Sequence, residues 1–174
     1  EILKPENGRH AKSDFVFIPD ISADDFAVKN EAFCQVFSEI ALDTKNEVDD
    51  FLNQATEFCN NKLLGTLGCM ILVENDTFEK HAERIHQAVQ ELNYGGISVN
   101  TIPPNIWLNA YLTWGGNGET TENFVSGVGN FGNALNFENI VKSVLIDDFK
   151  STSFELTSRK RVEHLLENVS FFSI

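Results

Sequence analysis

The segment from Thr66 to Asn100 constrains the fold of this chain more than any other. Thr66 to Val73 (TLGCMILV) is an apolar run of strand length. Asp76-Thr77-Phe78-Glu79 then has capping-box spacing, and the periodicity predicts a helix to about Leu92 that buries Phe78, Ala82, Ile85, Val89 and Leu92. Tyr94-Gly95-Gly96 ends that helix, and Ile97-Ser98-Val99-Asn100 opens the next strand. A strand, helix and strand at this spacing form a βαβ unit, which implies parallel pairing and a right-handed crossover.

The preceding residues extend the alternation. Ala32 to Leu42 is dense enough in apolar residues for a strand buried on both sides, or for a helix. From Lys45 to Lys62, Val48, Phe51, Leu52, Ala55, Phe58 and Cys59 recur at helical steps, with Thr44 as N-cap, Glu47 three residues on, and Gly65 as the stop. Two such units in succession place the chain in the α/β class.

Around this centre, Glu1 to Ala11 reads as a polar loop and Asp14 to Pro19 as a short strand. Thr101 to Asn139 holds Pro103-Pro104, Trp107, Trp114 and most of the glycines without sustained period, so a long glycine-rich loop is expected. Val141 to Ile146 alternates like an edge strand, and Arg159 to Phe171 reads as a short amphipathic helix carrying Val162, Leu165, Leu166 and Val169. The length of 174 residues suits a single domain spanning 1–174. Fifteen Phe residues lead one to expect a core built largely of aromatic rings.

The balance of 13 Lys+Arg against 26 Asp+Glu gives a net charge of −13, which opposes binding to nucleic acid and to anionic lipid. Three cysteines, Cys34, Cys59 and Cys69, cannot all pair and show no metal-ligand spacing, so free thiols in a reducing, cytosolic setting are expected. No apolar run is long enough for a membrane span. Met70 is the sole methionine, and the first segment reads as mid-domain, so a cut domain or a proteolytic remnant is expected.

Few residues offer chemistry directly. Gly127-Val128-Gly129-Asn130-Phe131-Gly132 matches GxGxxG, but the polar stretch Glu119 to Asn123 stands where a hydrophobic strand should be, so it reads as a turn. His81 and His86 are five apart and point to different faces of a helix, so they make no zinc pair. The acidic pairs read as solvated faces. No cysteine has an activating neighbour, and Cys34 alone merits a test of reactivity.

Several short segments, taken in order, resemble the aldehyde dehydrogenase superfamily. Asn30-Glu31-Ala32-Phe33 is similar to its E-x-F-G-P segment, and Asn60 to Leu67 to its A-N-x-x-x-Y-G-L segment. Leu92 to Asn100 resembles L-x-x-G-x-V-x-V-N, Thr113-Trp114-Gly115-Gly116 resembles P-F-G-G, and Ser126 to Gly129 resembles S-G-x-G. Val141 to Ile146 is similar to the last family strand, which usually pairs in the subunit interface. Cys34 and Gln35 depart from the family's glycine and proline, and the double proline marks a divergent branch.

The resemblance implies the C-terminal part of a catalytic domain from an NAD- or NADP-dependent enzyme that oxidises an aldehyde to a carboxylate. It implies that Glu31 and Phe33 contact the cofactor ribose, that Trp114 walls the aldehyde pocket, and that Asn100, Gly115 and Gly116 shape the backbone nearby. The family's nucleophilic cysteine lies upstream of Glu31, so no catalytic residue and no metal ligand is expected here, and the chain alone should not turn over. The alternative is a non-enzymatic assembly module, a degenerate dehydrogenase-like domain that self-associates through the strand near Val144. An unrelated acidic α/β domain is the third reading.

Overall fold

The computed structural model describes residues 2–3, 15–45, 47–128 and 131–148. The amphipathic helix expected from Arg159 to Phe171 lies outside the described residues, as do Gly129 and Asn130 of the GxGxxG match.

The architecture is mixed α/β with small, largely parallel sheets. The first sheet joins β1 (Ile2–Leu3), β2 (Phe15–Ile18) and β3 (Val36–Ser38), with β1 antiparallel to β2 and β2 parallel to β3. A single helical turn, α1 (Phe26–Lys29), bridges β2 and β3 and is capped by Asp25, whose carboxylate accepts from Ala27 N at 2.9 Å. Ala32 to Leu42 is therefore neither a doubly buried strand nor a helix. Only three of its residues pair, at the edge of this sheet, and Phe37 stacks on Phe17 instead of entering a core. The strand pairs with β2 alone and not with the strand that follows it in sequence.

That next strand belongs to the second, wholly parallel sheet, ordered β4 (Gly68–Ile71), β5 (Gly96–Val99), β8 (Ser143–Ile146). The βαβ unit expected between Thr66 and Asn100 forms, with α3 (Asn75–Glu91) crossing from β4 to β5. β5 is central and buried at every position, as a strand covered on both faces must be. On one face, α2 (Val48–Asn61) packs with α3, and Val89, Leu92, Tyr94, Ile97 and Val99 form one cluster while Leu52, Ile85 and Ala88 form another. On the other face lie α4 (Pro104–Trp107) and a two-stranded ribbon of β6 (Thr113–Trp114) with β7 (Phe131–Gly132). Thus the long loop contains three short elements.

Both long helices begin elsewhere than their capping boxes suggest. Glu47 and Glu74 take the N-cap positions without a side-chain cap hydrogen bond, while Asp50 accepts from Lys45 N at 2.8 Å and the Thr77 hydroxyl donates to the Glu74 carboxylate. The expected aromatic core is also not found. The buried hydrophobics among the described residues are aliphatic apart from Tyr94, whereas Phe26, Phe33, Phe37, Phe124, Phe131 and Phe137 are exposed.

The C-terminus of α3 is held by a single cation. Lys142 Nζ donates to Val89 O, Gln90 O and Leu92 O at 3.0, 2.8 and 2.5 Å, which satisfies carbonyls that a helix end leaves unpaired. Burial of this ammonium lowers its pKa. Lys142→Met keeps the stem and removes the charge, and is expected to cost about 2 kcal/mol. A thermal melt should show a midpoint lower by about 4–8 °C, and an unchanged midpoint would refute the capping role.

Candidate functional site

The site residues named from the sequence fall in three places. Glu31 and Phe33 lie on the turn between α1 and β3, both exposed, Phe33 at 92%. Asn100 follows β5, buried, with a left-handed φ of 57°. Its Oδ1 accepts from Val73 N at 2.9 Å while its own N–H donates to Ile71 O, so it ties the ends of β4 and β5 together. Trp114, Gly115 and Gly116 meet the sheet at the opposite end of β5. Asn100 and the Gly96 level are four residues apart, about 13 Å along an extended strand. No hydrogen bond or ring contact among the described residues joins Glu31 or Phe33 to Trp114.

Around Trp114 the geometry is dense. Gly68 and Gly96 are partners across β4 and β5, and their missing side chains make a shelf for the indole. A Cβ on Gly96 would stand 2.9 Å from Trp114 Cζ3, and one on Gly68 3.4 Å from Trp114 Cη2. Thr113 anchors the segment from behind, its N–H donating to Ser143 Oγ at 2.9 Å with the two hydroxyls 3.0 Å apart. Gly95 N and Asn117 N both donate to Thr66 O, at 2.8 and 3.3 Å. Gly116 N donates to Gly127 O at 3.1 Å. Residues far apart in sequence thus converge on one hydrogen-bonded knot.

At its centre is Glu119, which sequence reasoning reads only as part of a polar stretch. Oε1 accepts from Thr66 Oγ1 at 2.7 Å and Ser126 N at 2.9 Å; Oε2 accepts from the amides of Val125, Ser126 and Gly127 at 2.9, 2.8 and 2.9 Å. Successive amides turned toward one point make an anion-binding nest. Here the anion is the protein's own carboxylate, and Gly127, the first residue of the glycine motif, gives its amide to it. Burial works against the charge, but the Thr66 hydroxyl and then the Ser126, Val125 and Gly127 amides outweigh it and hold Glu119 down at about 2.

Folding therefore lowers this pKa from its ordinary 4.5. The resulting stability is complete above 4.5 and is lost as pH falls toward 2. Glu119→Gln should flatten that section of the curve of denaturation free energy against pH. If wild type and variant lose stability in parallel between these limits, the carboxylate is not the linked group.

At the far end of the sheet, a cleft of about 480 Å³ lies outside the ends of β5 and β8 and is lined by Asn75, Phe78, Glu79, Asn100, Ile146 and Asp147 with Asp148. Ligands of open parallel sheets bind in such a crevice. Its carboxylates oppose an anionic ligand, and no group of three metal-ligating side chains occurs among the described residues. Two of the three cysteines are placed for packing. Cys59 and Cys69 border the core, burial raises both thiols, and Cys69 is pushed up to about 12. Cys34 is exposed.

Fold and site together define a mixed α/β protein with a parallel sheet and an internally anchored glycine loop. Among the described residues no helix is long and apolar enough to cross a membrane. The chain matches no family model, no curated protein and no solved structure.

Proposed function

We propose that this chain is the C-terminal part of an aldehyde dehydrogenase catalytic domain, using NAD or NADP to oxidise an aldehyde to a carboxylate. The observation that carries the reading is the knot around Trp114. Four segments that resemble the family in order, those at Thr66, Gly95, Trp114–Gly116 and Ser126–Gly127, are stitched to one another by hydrogen bonds. The support is the shared convergence of segments, since each likeness is short.

In this reading the chain positions and does not attack. Trp114 walls the aldehyde pocket with an apolar ring, Gly115 and Gly116 bring backbone close to it, and Asn100 holds the strand ends in register. Glu31 and Phe33, being exposed, are free to meet a ribose: a carboxylate accepts two hydroxyl hydrogen bonds and a ring packs beside them. The residues present fit that ribose contact and no more, because the Ser126 and Gly127 amides of the glycine loop are taken by Glu119. The nicotinamide, when bound, supplies the hydride acceptor. The desolvated thiols of Cys59 and Cys69 are poor nucleophiles, and Cys34 stands at the position of the family's glycine, so in this reading the attacking cysteine belongs to another part of the enzyme.

The test is aldehyde-dependent nucleotide reduction by the natural polypeptide that contains this segment, over aliphatic and aromatic aldehydes and with either nucleotide. Turnover in that polypeptide, with Glu31→Gln raising KM for the nucleotide, is the expected result. No turnover with any pair would sink the reading. A second reading, an assembly module, is favoured by the outer edge of β8, where Val144 and Ile146 remain exposed at 36% and 45%. It requires a dimer in solution that Val144→Lys dissociates.

A further inference from the structure

We propose that Glu119 is the positioning residue that fixes the Trp114 wall, and through it the size of aldehyde the pocket admits. The inference rests on the dehydrogenase reading for its substrate, but on geometry alone for its mechanics. The carboxylate gathers the 125–127 turn and the Thr66 hydroxyl onto itself. Gly127 O then accepts from Gly116 N, and Thr66 O accepts from Asn117 N. The carboxylate also lies directly on the Gly116 backbone, where an added Cβ would be 2.6 Å from Glu119 Cδ. The residues just after Trp114 are therefore held from two sides by partners that Glu119 itself gathers.

The Trp114 backbone is paired with Phe131 in the β6–β7 ribbon, but the indole ring itself is held by packing. The ring rests on the Gly68 and Gly96 shelf through van der Waals contact, which is attractive but does not fix a single orientation. Direction comes from the backbone that carries it. Glu119→Gln replaces one of the two accepting oxygens with an NH2 donor, so the set formed by the Thr66 hydroxyl and the Val125, Ser126 and Gly127 amides can no longer all be satisfied. The turn then opens, Gly116 and Asn117 lose alignment, and the wall recedes. A fixed wall favours short, unbranched aldehydes; a receding one admits branched and aromatic ones.

Two measurements on Glu119→Gln decide this. In the present chain carrying Trp107→Phe, so that Trp114 is the sole indole, emission should shift to the red and quenching by acrylamide should rise while far-UV circular dichroism is retained. In the natural polypeptide that contains this segment, the ratio of kcat/KM for a short over an aromatic aldehyde should fall about tenfold, through KM and with kcat kept. Glu119→Asp, which keeps the charge on a shorter arm, should recover part of both, and it stands in if the Gln variant does not fold. Unchanged emission overturns the positioning role. Shifted emission with unchanged size selectivity overturns the specificity role. If the natural polypeptide oxidises no aldehyde, the dehydrogenase reading fails while the fluorescence result still judges Glu119.

Discussion

Gly95→Ala is expected to destabilise the chain by about 4 kcal/mol or more, or to prevent folding. The added Cβ would lie 1.7 Å from Gly115 O and 2.9 Å from Gly115 C, so the obstacle is backbone and not a side chain able to swing aside. Neither side of that contact is free to yield. Gly95 N donates to Thr66 O and Gly95 O accepts from Ser143 N, both at 2.8 Å, which places the residue between the starts of β4 and β8. Gly115 is held in turn by its neighbours Gly116 and Asn117. Gly118→Ala is the control. It has a φ of +67° but nothing within 4 Å, so only the left-handed backbone costs, about 1 kcal/mol. Urea denaturation of both variants separates close approach from conformational strain. Equal midpoints would mean that the Gly95–Gly115 approach is not present in solution.

That contact also shows where reading the sequence stops. Gly95 and Gly96 are visible as a helix end, and the helix before them follows from periodicity, because burial against one sheet imposes a regular spacing on α3, while β4 and β5 show as short apolar runs. The reason for two glycines in a row is different. It lies in Gly115 and Trp114, about twenty residues on, within a stretch whose pattern has no period to read. Trp114, Gly115 and Gly116 are reached through resemblance, and Glu119 is not reached at all. A carboxylate seven residues ahead of a Ser-Gly pair is the available signal, and it becomes informative only once the amides are seen to converge.

The errors have a common cause. Apolar residues in a sequence report a wish to be buried, and not what buries them. Ala32 to Leu42 and the many Phe residues promise a packed aromatic interior, yet Phe33, Phe37 and Phe131 stand on the surface. Leu72, at 63% exposure just past the outer strand β4, belongs to the same category. In the dehydrogenase reading these faces are where the remainder of the enzyme packs, and in the assembly reading they meet a second copy. The helix starts are a separate case: Glu47 and Glu74 stand at the cap positions where Thr44 and Asp76 are expected.

The second large effect is expected at the shelf under Trp114, and it has a sign that simple loss of packing does not. Trp114→Ala removes an indole from contact with Gly68 and Gly96 and should cost about 3 kcal/mol. Gly96→Ala should cost about 2 kcal/mol, because its Cβ would meet Trp114 Cζ3 at 2.9 Å and Cε3 at 3.1 Å. The two losses should not add. With the indole gone, the methyl added at position 96 has only Ile106 Cδ1 at 3.4 Å, an ordinary contact, so the double variant should be more stable than the sum predicts by about 1–2 kcal/mol. Additivity within a few tenths would mean that the ring does not rest on Gly96. A positive coupling would establish that the indole rests on this glycine platform. It would also explain why glycine stands at both paired positions, where a strand interior would ordinarily prefer a side chain.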